Sequence, residues 1–312
     1  MKLYTFGKYL RKKFHTKVYK VPISIPGFTC PNIDGTSARG GCVFCENESF
    51  SPNFQKERFT LNLQSKENPL LQKQLDSLEW QFKNTTPFLK KRFGAKKFIV
   101  YFQSFTNTYA PFETLKALYE KALTFDDVVG ISVGTRTDSI TDETLYYLKE
   151  LSDKTEVWIE YGIQTSNDKT YKIINRGHDF ANVVETITKT KSLNLNVCGH
   201  LIYGLPNENR KDWEKTFNDT IQLGIDSIKF HPMYVTKNTL LAKQYLEGKF
   251  TPITEEDYID ILVWSIKNLP KNISIQRMTA GIDNLLAPEW CRDKGIQMSH
   301  LSKVFKENNI KF

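Results

Sequence analysis

Three of the five cysteines of this chain lie in one short stretch, FTCPNIDGTSARGGCVFCENESF, at Cys30, Cys42 and Cys45. Cys42 and Cys45 form a C-x-x-C pair, and eleven residues separate Cys30 from Cys42. In a reducing cytosol, clustered thiols bind a metal or carry out chemistry more often than they form disulfides. Because the loop between them is rich in glycine, it can bring the three sulfur atoms to one point. The spacing therefore predicts a metal centre.

The number of thiols limits the kind of metal centre. A structural zinc site needs four protein ligands, and the nearest candidates for a fourth, His15 and Asp34, have no convincing spacing. A four-iron cluster also has four ligand positions, so three thiolates leave one iron open to a small molecule. We therefore expect a cluster with one open iron, with a small zinc loop as the alternative.

Seven short segments rich in β-branched and aromatic residues alternate with helical patterns along the chain. These candidate strands are 21–26, 97–103, 128–135, 157–164, 197–204, 227–235 and 273–278. Helices are predicted over 112–123, 141–152 and 255–269. Apolar strands that alternate with helices indicate a parallel sheet covered by helices, either doubly wound or curved into a barrel.

Polar residues follow several of these strands at their carboxyl ends. They include Gln103 and Ser104, the segment 135–138, Gln164 and Thr165, and Pro206 and Asn207. In a βα-barrel the carboxyl ends of the strands form the face on which a site is assembled from several loops. The pattern therefore predicts that these residues meet around one site.

The charge and hydropathy of the chain bear on its partners. The 312 residues carry a formal net charge of +8, and two basic runs, 8–20 and 90–98, contain interleaved aromatic residues. Such runs can steer a polyanion, although a solvated basic face is their commoner meaning. No apolar run approaches the length of a membrane span, and the basic N-terminus lacks the features of a secretory signal. We therefore expect a cytoplasmic protein with no membrane partner.

On these motifs the sequence resembles the radical S-adenosylmethionine (SAM) superfamily, whose cysteine loop follows the first strand of a partial βα-barrel. Most members carry C-x3-C-x2-C with an aromatic residue before the last cysteine. Phe44 fills that position here, but the first spacing is eleven rather than three. The longer spacing resembles the branch that contains the Elongator catalytic subunit and, more closely, a small bacterial group of YtqA-like or YhcC-like proteins, also called MnmL.

The resemblance implies a fold and a division of the chain. The fold is α/β, a partial (β/α)6 barrel of the TIM type, over residues 21–235. A basic segment, 1–20, precedes it, and a C-terminal extension, 236–312, packs on the barrel. The same resemblance implies that Cys30, Cys42 and Cys45 are the catalytic residues and hold a [4Fe-4S] cluster, with Phe44 beside it.

Four further residues match positions at which the family binds SAM. Gln103 and Ser104, in YFQSFTNTYAP, stand where the amino group of SAM is held. Gln164, in GIQTSNDKTYKIINRGH, stands at the ribose position, and Arg176, twelve residues later, at the carboxylate position. A guanidinium suits a carboxylate because its planar fork forms a bidentate charged pair. The segment HLIYGLP, at 200–206, matches the strand that packs beside the adenine.

The function that the resemblance implies is radical chemistry on a nucleic acid. A reduced cluster cleaves SAM to methionine and a 5'-deoxyadenosyl radical, which takes hydrogen from an unactivated carbon. The bacterial group implies tRNA as substrate and the wobble uridine as target, with carboxymethylaminomethyl-uridine converted to aminomethyl-uridine. A reductant such as flavodoxin or ferredoxin is implied as a partner.

Two other classes of function stay open. One is a radical SAM enzyme that acts on a small molecule or peptide, in which case no salt-dependent affinity for tRNA is expected. The other is a non-catalytic, zinc-containing protein that interacts with RNA, which would leave SAM intact. The oligomeric state and the recycling of SAM are not determined by the sequence.

Several residues have roles that the sequence leaves open. Glu160 lies in an apolar strand, where a carboxylate needs a partner such as Arg136, or serves as a contact to SAM or substrate. Hydrogen-bonded core residues are the favoured interpretation of His200 and His231. Cys198 is interpreted as a buried small side chain, with a hydrogen-atom donor in the lumen as the alternative. Cys291 lies outside the barrel pattern and is expected to be structural or exposed.

Overall fold

The computed structural model describes residues 1–46, 57–279, 281–282 and 284–311. Its main sheet has seven strands, which pair in parallel and follow one another in sequence order. They are β1 (Val18–Ile23), β2 (Lys97–Phe102), β3 (Val128–Thr135), β4 (Glu156–Gln164), β5 (Asn196–Tyr203), β6 (Ser227–Pro232) and β8 (Ser274–Arg277). A two-stranded antiparallel pair is formed by β7 (Val235–Thr236) and β9 (Leu285–Ala287).

Helices connect the strands in the pattern that the sequence predicts. They are α1 (Phe6–Phe14), α2 (Pro31–Asp34), α3 (Leu71–Phe93), α4 (Phe112–Leu123), α5 (Asp142–Ser152), α6 (Asp168–Ile173), α7 (Phe180–Ser192), α8 (Arg210–Gln222), α9 (Leu240–Leu246), α10 (Glu255–Asn268) and α11 (Lys294–Glu307). The three predicted helices correspond to α4, α5 and α10. Thr141 caps α5 by accepting a hydrogen bond from the amide of Thr144.

The strand order decides between the two architectures that periodicity left open. In a doubly wound sheet the order reverses at a switch point, whereas here every strand pairs with its neighbours in sequence. Right-handed crossovers in one direction place the helices on a single face, so the other face curves around a lumen. The predicted partial barrel is therefore confirmed, and β8 adds a seventh strand to the six of its core.

Two predicted strands differ from the observed ones for identifiable reasons. The first was placed at 21–26, but β1 covers Val18–Ile23. Lys20 obscured its start, since a lysine in a strand reads as polar unless its ion pair is known. The sixth was placed at 227–235, but β6 ends at Pro232 and the chain resumes as β7. Proline has no amide hydrogen to continue the ladder.

Inward-facing side chains fill the lumen in layers. The lowest layer is apolar and lies at the amino ends of the strands, where α1 covers it. It consists of Phe6, Leu10, Val18, Ile99, Trp158 and Cys198. Above it lies a charged layer centred on Glu160, and above that layer a cavity opens at the carboxyl ends. The barrel is thus closed at one end and open at the other.

No helix in the described ranges of the chain is long and apolar enough to cross a membrane.

Candidate active site

One cavity of about 410 Å³ lies at the carboxyl ends of the strands. All eight residues predicted as site residues contribute to its lining: Cys30, Cys42, Phe44, Cys45, Gln103, Ser104, Gln164 and Arg176. They come from loops after β1 and β2, from the end of β4 and from the turn after α6. The roles assigned to them individually stay predictions, but the structure brings them together.

The three thiols are grouped at the wall of this cavity. Cys30 precedes α2, and a turn closed by the amide of Cys45 donating to the carbonyl of Cys42 (2.9 Å) joins the other two. Burial raises the pKa of the Cys45 thiol, and the neighbouring thiols of Cys42 and Cys30 raise it further. A cluster of thiols that repel one another's charge is the environment that a bound cation stabilises.

The cysteine loop is tied to the turn that carries Arg176. Asn32 Nδ2 donates to the carbonyls of Asn175 (2.5 Å) and Arg176 (2.9 Å). In return, Asn175 Nδ2 donates to the carbonyl of Gly41 (2.8 Å). Gly177 follows with φ of +84°, and an added Cβ there would lie 2.6 Å from Asn32 Oδ1. Only glycine permits this approach, so the loop and the turn form one rigid unit.

Arg136 supports the same unit from the end of β3. Its guanidinium forms a bidentate pair with Asp138, with distances of 2.8 and 2.6 Å. It also donates to the carbonyl of Arg176 (2.8 Å), and Nη1 lies 3.8 Å from Cys30 Sγ. Burial alone would raise the pKa of Asp138, but His178 and Arg136 hold it well below its usual range. Arg136 is therefore a fixed cation beside the thiols.

Gln164 and Arg176 present unpartnered polar atoms to the cavity. Gln164 ends β4 in a left-handed conformation with φ of 71°. Its Oε1 and the Nε of Arg176 are buried, and neither has a hydrogen-bond partner in the part of the chain that the structure describes. Both side chains flank Gly162, whose carbonyl accepts a hydrogen bond from Arg176 Nη2 (2.6 Å). Because buried polar atoms are usually paired, these two indicate a ligand with complementary polar groups.

The charged layer beneath the cavity is centred on Glu160, whose side chain is fully buried. Lys20 and Lys229 each form an ion pair with its carboxylate. Ser132 Oγ donates to it (2.6 Å), and His200 Nε2 does so at 2.9 Å. Burial alone would raise the pKa of Glu160, but the two lysines hold it well below its usual range. The carboxylate is therefore ionised and balances two cations.

The structure excludes one of the two alternatives for Glu160 and gives the partners of both histidines. The hypothesis that Arg136 is the partner of Glu160 was wrong, because Arg136 pairs with Asp138. His200 is hydrogen-bonded to Glu160, and His231 Nδ1 lies 2.8 Å from the carbonyl of Pro232. Burial lowers their pKa values to about 4 and about 3, so both are neutral at pH 7. Both are hydrogen-bonded as expected, but they also line the cavity.

The two cysteines outside the loop are buried. Cys198 belongs to the apolar layer beneath Glu160 and does not line the cavity, and Cys291 packs with Tyr234 and Leu285. The interpretation of Cys198 as a small core side chain and of Cys291 as structural is confirmed.

Sequence reasoning missed several residues of this site. They are Asn32, Lys20, Lys229 and Arg277. A signal existed for the two lysines, since each is a charge inside an apolar strand, as Glu160 is. A buried charge requires an opposite charge, so three such strands predict an internal ion-pair cluster.

Comparison with known sequences identifies the family. The family described as "Radical SAM superfamily" matches residues 36–220, and its "Radical_SAM C-terminal domain" matches residues 225–307. This chain belongs to the radical SAM superfamily. The first match covers more than half of the chain and includes two of the three clustered cysteines, so the predicted resemblance is confirmed.

Three individual relatives have sequences similar to that of this chain. The chain is 35% identical over 302 residues to the uncharacterized protein YtqA of Bacillus subtilis, covering 96% of this chain and 88% of YtqA. It is 34% identical over 308 residues to protein YhcC of Escherichia coli, covering 98% and 93%. A tRNA uridine(34) acetyltransferase of Methanocaldococcus infernus is 24% identical over 179 residues, covering 56% of this chain and 32% of the relative.

The fold is also found in a solved structure. The archaeal Elp3 of Methanocaldococcus infernus superposes with a TM-score of 0.64 at 16% identity, covering 93% of this chain and 64% of that one. At this identity the similarity shows the fold alone.

Members of the radical SAM superfamily bind a [4Fe-4S] cluster and SAM, so membership identifies these two cofactors for this chain. The residues present fit both groups. Three thiols at one wall suit a cluster with an open iron, and the unpartnered atoms of Gln164 and Arg176 suit a ligand with hydroxyl and carboxylate groups. The protein is therefore a radical SAM enzyme.

Proposed function

We propose that this enzyme modifies the wobble uridine of tRNA, converting carboxymethylaminomethyl-uridine to aminomethyl-uridine in the cytoplasm with an electron donor such as flavodoxin or ferredoxin. The observation that carries the radical part is the convergence of three thiols, Gln164 and Arg176 on one cavity. Support for the tRNA part comes from a distant relative named as a tRNA uridine(34) acetyltransferase.

The proposal gives each group of residues a task. Cys30, Cys42 and Cys45 hold the cluster through three irons. Gln103 and Ser104 bind the amino group of SAM, whereas Gln164 and Arg176 bind its ribose and carboxylate. When bound, the cluster and SAM would supply a 5'-deoxyadenosyl radical that takes a hydrogen atom from the carboxymethyl carbon next to the nitrogen. Loss of one electron to the oxidised cluster and of one proton to water would turn that carbon radical into an imine, and water would hydrolyse the imine to aminomethyl-uridine and glyoxylate.

The remaining residues orient the ligands and exclude water. Arg136 and Asn32 keep the cysteine loop in place through hydrogen bonds to the turn at Arg176. Beneath the cavity, the layer around Glu160 and the apolar layer covered by α1 close the lumen. A lumen closed at one end protects a radical from solvent, because stray hydrogen donors can enter only through the mouth.

The test uses tRNA from a strain that lacks the gene. The protein is reconstituted with iron and sulfide under anaerobic conditions and incubated with SAM, a reductant and this tRNA. We expect carboxymethylaminomethyl-uridine to decrease and aminomethyl-uridine to increase, with formation of 5'-deoxyadenosine, as measured by mass spectrometry of nucleosides. Cys42→Ala serves as the control and should support neither change.

Other outcomes separate the parts of the proposal. Formation of 5'-deoxyadenosine without any change in tRNA nucleosides would refute the tRNA substrate and favour a small molecule or peptide. A colourless protein that holds zinc and leaves SAM intact would refute the radical chemistry itself.

A further inference from the structure

The wall of the cavity opposite the cysteine loop carries cations that have no ion-pair partner among the described residues. The cysteine loop follows β1, at one edge of the sheet, and Arg277 ends β8, at the other edge. Both contribute to the lining of the same cavity. Within the described ranges of the chain, no carboxylate lies within ion-pair distance of the Arg277 guanidinium. Arg277 therefore lines the cavity with a charge that no described carboxylate neutralises.

The immediate neighbour of Arg277 is another cation, which repels its charge. Arg277 lies opposite Lys229 in the pairing of β6 with β8. Like charges directly opposite each other on adjacent strands are destabilising. The carboxylate next to them, Glu160, is engaged with both Lys229 and Lys20. Burial lowers the pKa of Lys229 to about 8, and repulsion from Lys20 and Arg277 contributes to that shift.

A second cation without an ion-pair partner among the described residues lies at the rim of the same wall, where its side chain is exposed. Lys294 is the first residue of α11 and also lines the cavity. The amino end of a helix carries partial positive charge, so a lysine is electrostatically unfavourable there. Burial lowers the pKa of Lys294, and Arg277 lowers it further. No ion pair compensates this lysine among the described residues.

The balance of charge in the cavity lining points to the class of ligand. The charged lining residues are Arg136, Arg176, Arg277, Lys294 and Glu160. Arg136 is neutralised by Asp138, and Arg176 stands beside the cysteine loop. Arg277 and Lys294 are left on the far wall, where an anionic group would relieve their mutual repulsion. The planar fork of Arg277 suits a carboxylate or a phosphate.

We propose that Arg277 and Lys294 form an anion subsite that binds a carboxylate on the reacting end of the substrate. A carboxylate is favoured over a backbone phosphate because Arg277 ends a strand inside the lumen, beside Lys229, whereas phosphates stay outside with the ribose chain. The identity of the RNA that carries this carboxylate rests on the proposed function. The subsite discriminates the carboxymethylaminomethyl group from the aminomethyl product, because the product has lost the carboxylate.

The first experiment measures preference for the carboxylate. Anticodon stem-loops that differ only in the 5-substituent of the wobble uridine, carboxymethylaminomethyl or its uncharged methyl ester, bind to the reconstituted enzyme with SAM but without reductant. Fluorescence anisotropy reports their affinities. We expect the wild type to prefer the carboxylate by about tenfold or more, the range of one charge-assisted hydrogen-bonded pair.

Variants assign the preference to residues. Arg277→Gln should reduce the preference to about twofold or less, Arg277→Lys should retain part of it, and Lys294→Gln should weaken it by a smaller factor. Arg292→Gln is the matched control, because Arg292 is exposed, pairs with Glu289 and does not line the cavity. Matching near-ultraviolet circular dichroism checks that each variant is folded.

Two results would overturn the subsite. An undiminished preference in Arg277→Gln means that another group binds the carboxylate. An equal loss of affinity for both stem-loops means that Arg277 contacts a phosphate instead.

A second experiment is independent of RNA. Chloride binding to the SAM-bound enzyme is followed by broadening of the chloride nuclear resonance, with acetate as the competitor. We expect broadening to fall in Arg277→Gln and to persist in Arg292→Gln. If no stem-loop binds but this result holds, the tRNA proposal fails and the anion subsite stands. Equal broadening in both variants would refute the subsite.

Discussion

Buried polar atoms at the two ends of the barrel differ in whether they have hydrogen-bond partners. At the amino end, Glu156 is buried and accepts hydrogen bonds from Tyr9 (2.7 Å), Trp158 (2.6 Å) and Lys13. At the carboxyl end, atoms of Asn32, Gln164, Arg176 and His178 are buried without a hydrogen-bond partner among the described residues. The carboxylate of Glu156 is thus satisfied within the chain, whereas these atoms at the carboxyl end are not. In βα-barrels, stability and function are separated in the same way.

The two basic runs of the chain lie at the closed end of the barrel. The two basic runs precede β1 and β2, and they meet where Lys17 Nζ donates to the carbonyl of Phe93 (3.0 Å) and Tyr19 stacks on Phe93. About 20 Å of strand separates this end of the sheet from the cavity. No residue of either basic run lines the cavity, and the cations that do line it come from other segments.

The largest expected difference between the ends concerns their cysteines. Cys42→Ala should abolish formation of 5'-deoxyadenosine because it removes a proposed cluster ligand. Cys198→Ala, in the apolar layer of the closed end, should retain most activity per folded molecule. The measurement is 5'-deoxyadenosine released by the reconstituted proteins. Loss of product turnover in Cys198→Ala alone would instead assign Cys198 a role as hydrogen-atom donor.

A second prediction concerns the charged layer between the ends. Glu160→Gln should lower the free energy of unfolding by about 3–5 kcal/mol, because it leaves two buried lysines without their counter-charge. Glu185→Gln, at an exposed position of α7, is the matched control and should change stability little. Denaturant titration of both variants measures the difference. Equal stability would show that the lysines find other partners.

At the closed end, Phe6→Ala should cost about 3 kcal/mol of stability. Phe6 is buried and packs edge-on against Trp158, with ring centroids 5.0 Å apart. Phe88, which is 58% exposed, provides the control substitution Phe88→Ala. Activity per folded molecule should be unchanged in both variants. A loss of activity at full folding would mean that the seal on the lumen also serves the chemistry.

The contribution of Glu160 to the free energy of unfolding should depend on pH. Its pKa in the folded protein is lowered, and the value in the unfolded chain is about 4.3. The contribution is therefore complete above the unfolded pKa and is lost as the pH falls toward the folded one. We expect the stability gap between wild type and Glu160→Gln to be constant from pH 7 to pH 5 and to narrow below pH 4. A gap that widened in acid would contradict this assignment.

The smallest effect is expected from the basic surface of the closed end. Replacing Arg11, Lys12, Lys91 and Arg92 by glutamine should reduce the salt dependence of stem-loop binding, with a slope smaller by at most about 3. The affinities for the carboxylate and ester stem-loops should fall equally. Anisotropy titrations at several salt concentrations measure both. A change in the preference between the two RNAs would show that this surface contributes to recognition of the base.

Much of the fold was predictable from local patterns. The strands β2, β3, β4 and β5 differ from the predicted segments by one residue or less at each end, because buried parallel strands read as continuous apolar runs. The start of β1 was missed, since Lys20 reads as solvent-exposed until its pairing with Glu160 is known. Periodicity also left a doubly wound sheet possible, because it carries no information on strand order.

The sequence by itself determined the chemistry of the open end. The spacing of Cys30, Cys42 and Cys45 and the pair Gln164 and Arg176 are local motifs, and each keeps its meaning wherever the chain places it. Only the tertiary structure decided which charges face one another. Lys20, Glu160, Lys229 and Arg277 lie on four different strands, and neither the ion pairs of Glu160 nor the position of Arg277 opposite Lys229 exists until the strands are ordered. Electrostatic energy depends on distance in space, and sequence separation does not specify that distance.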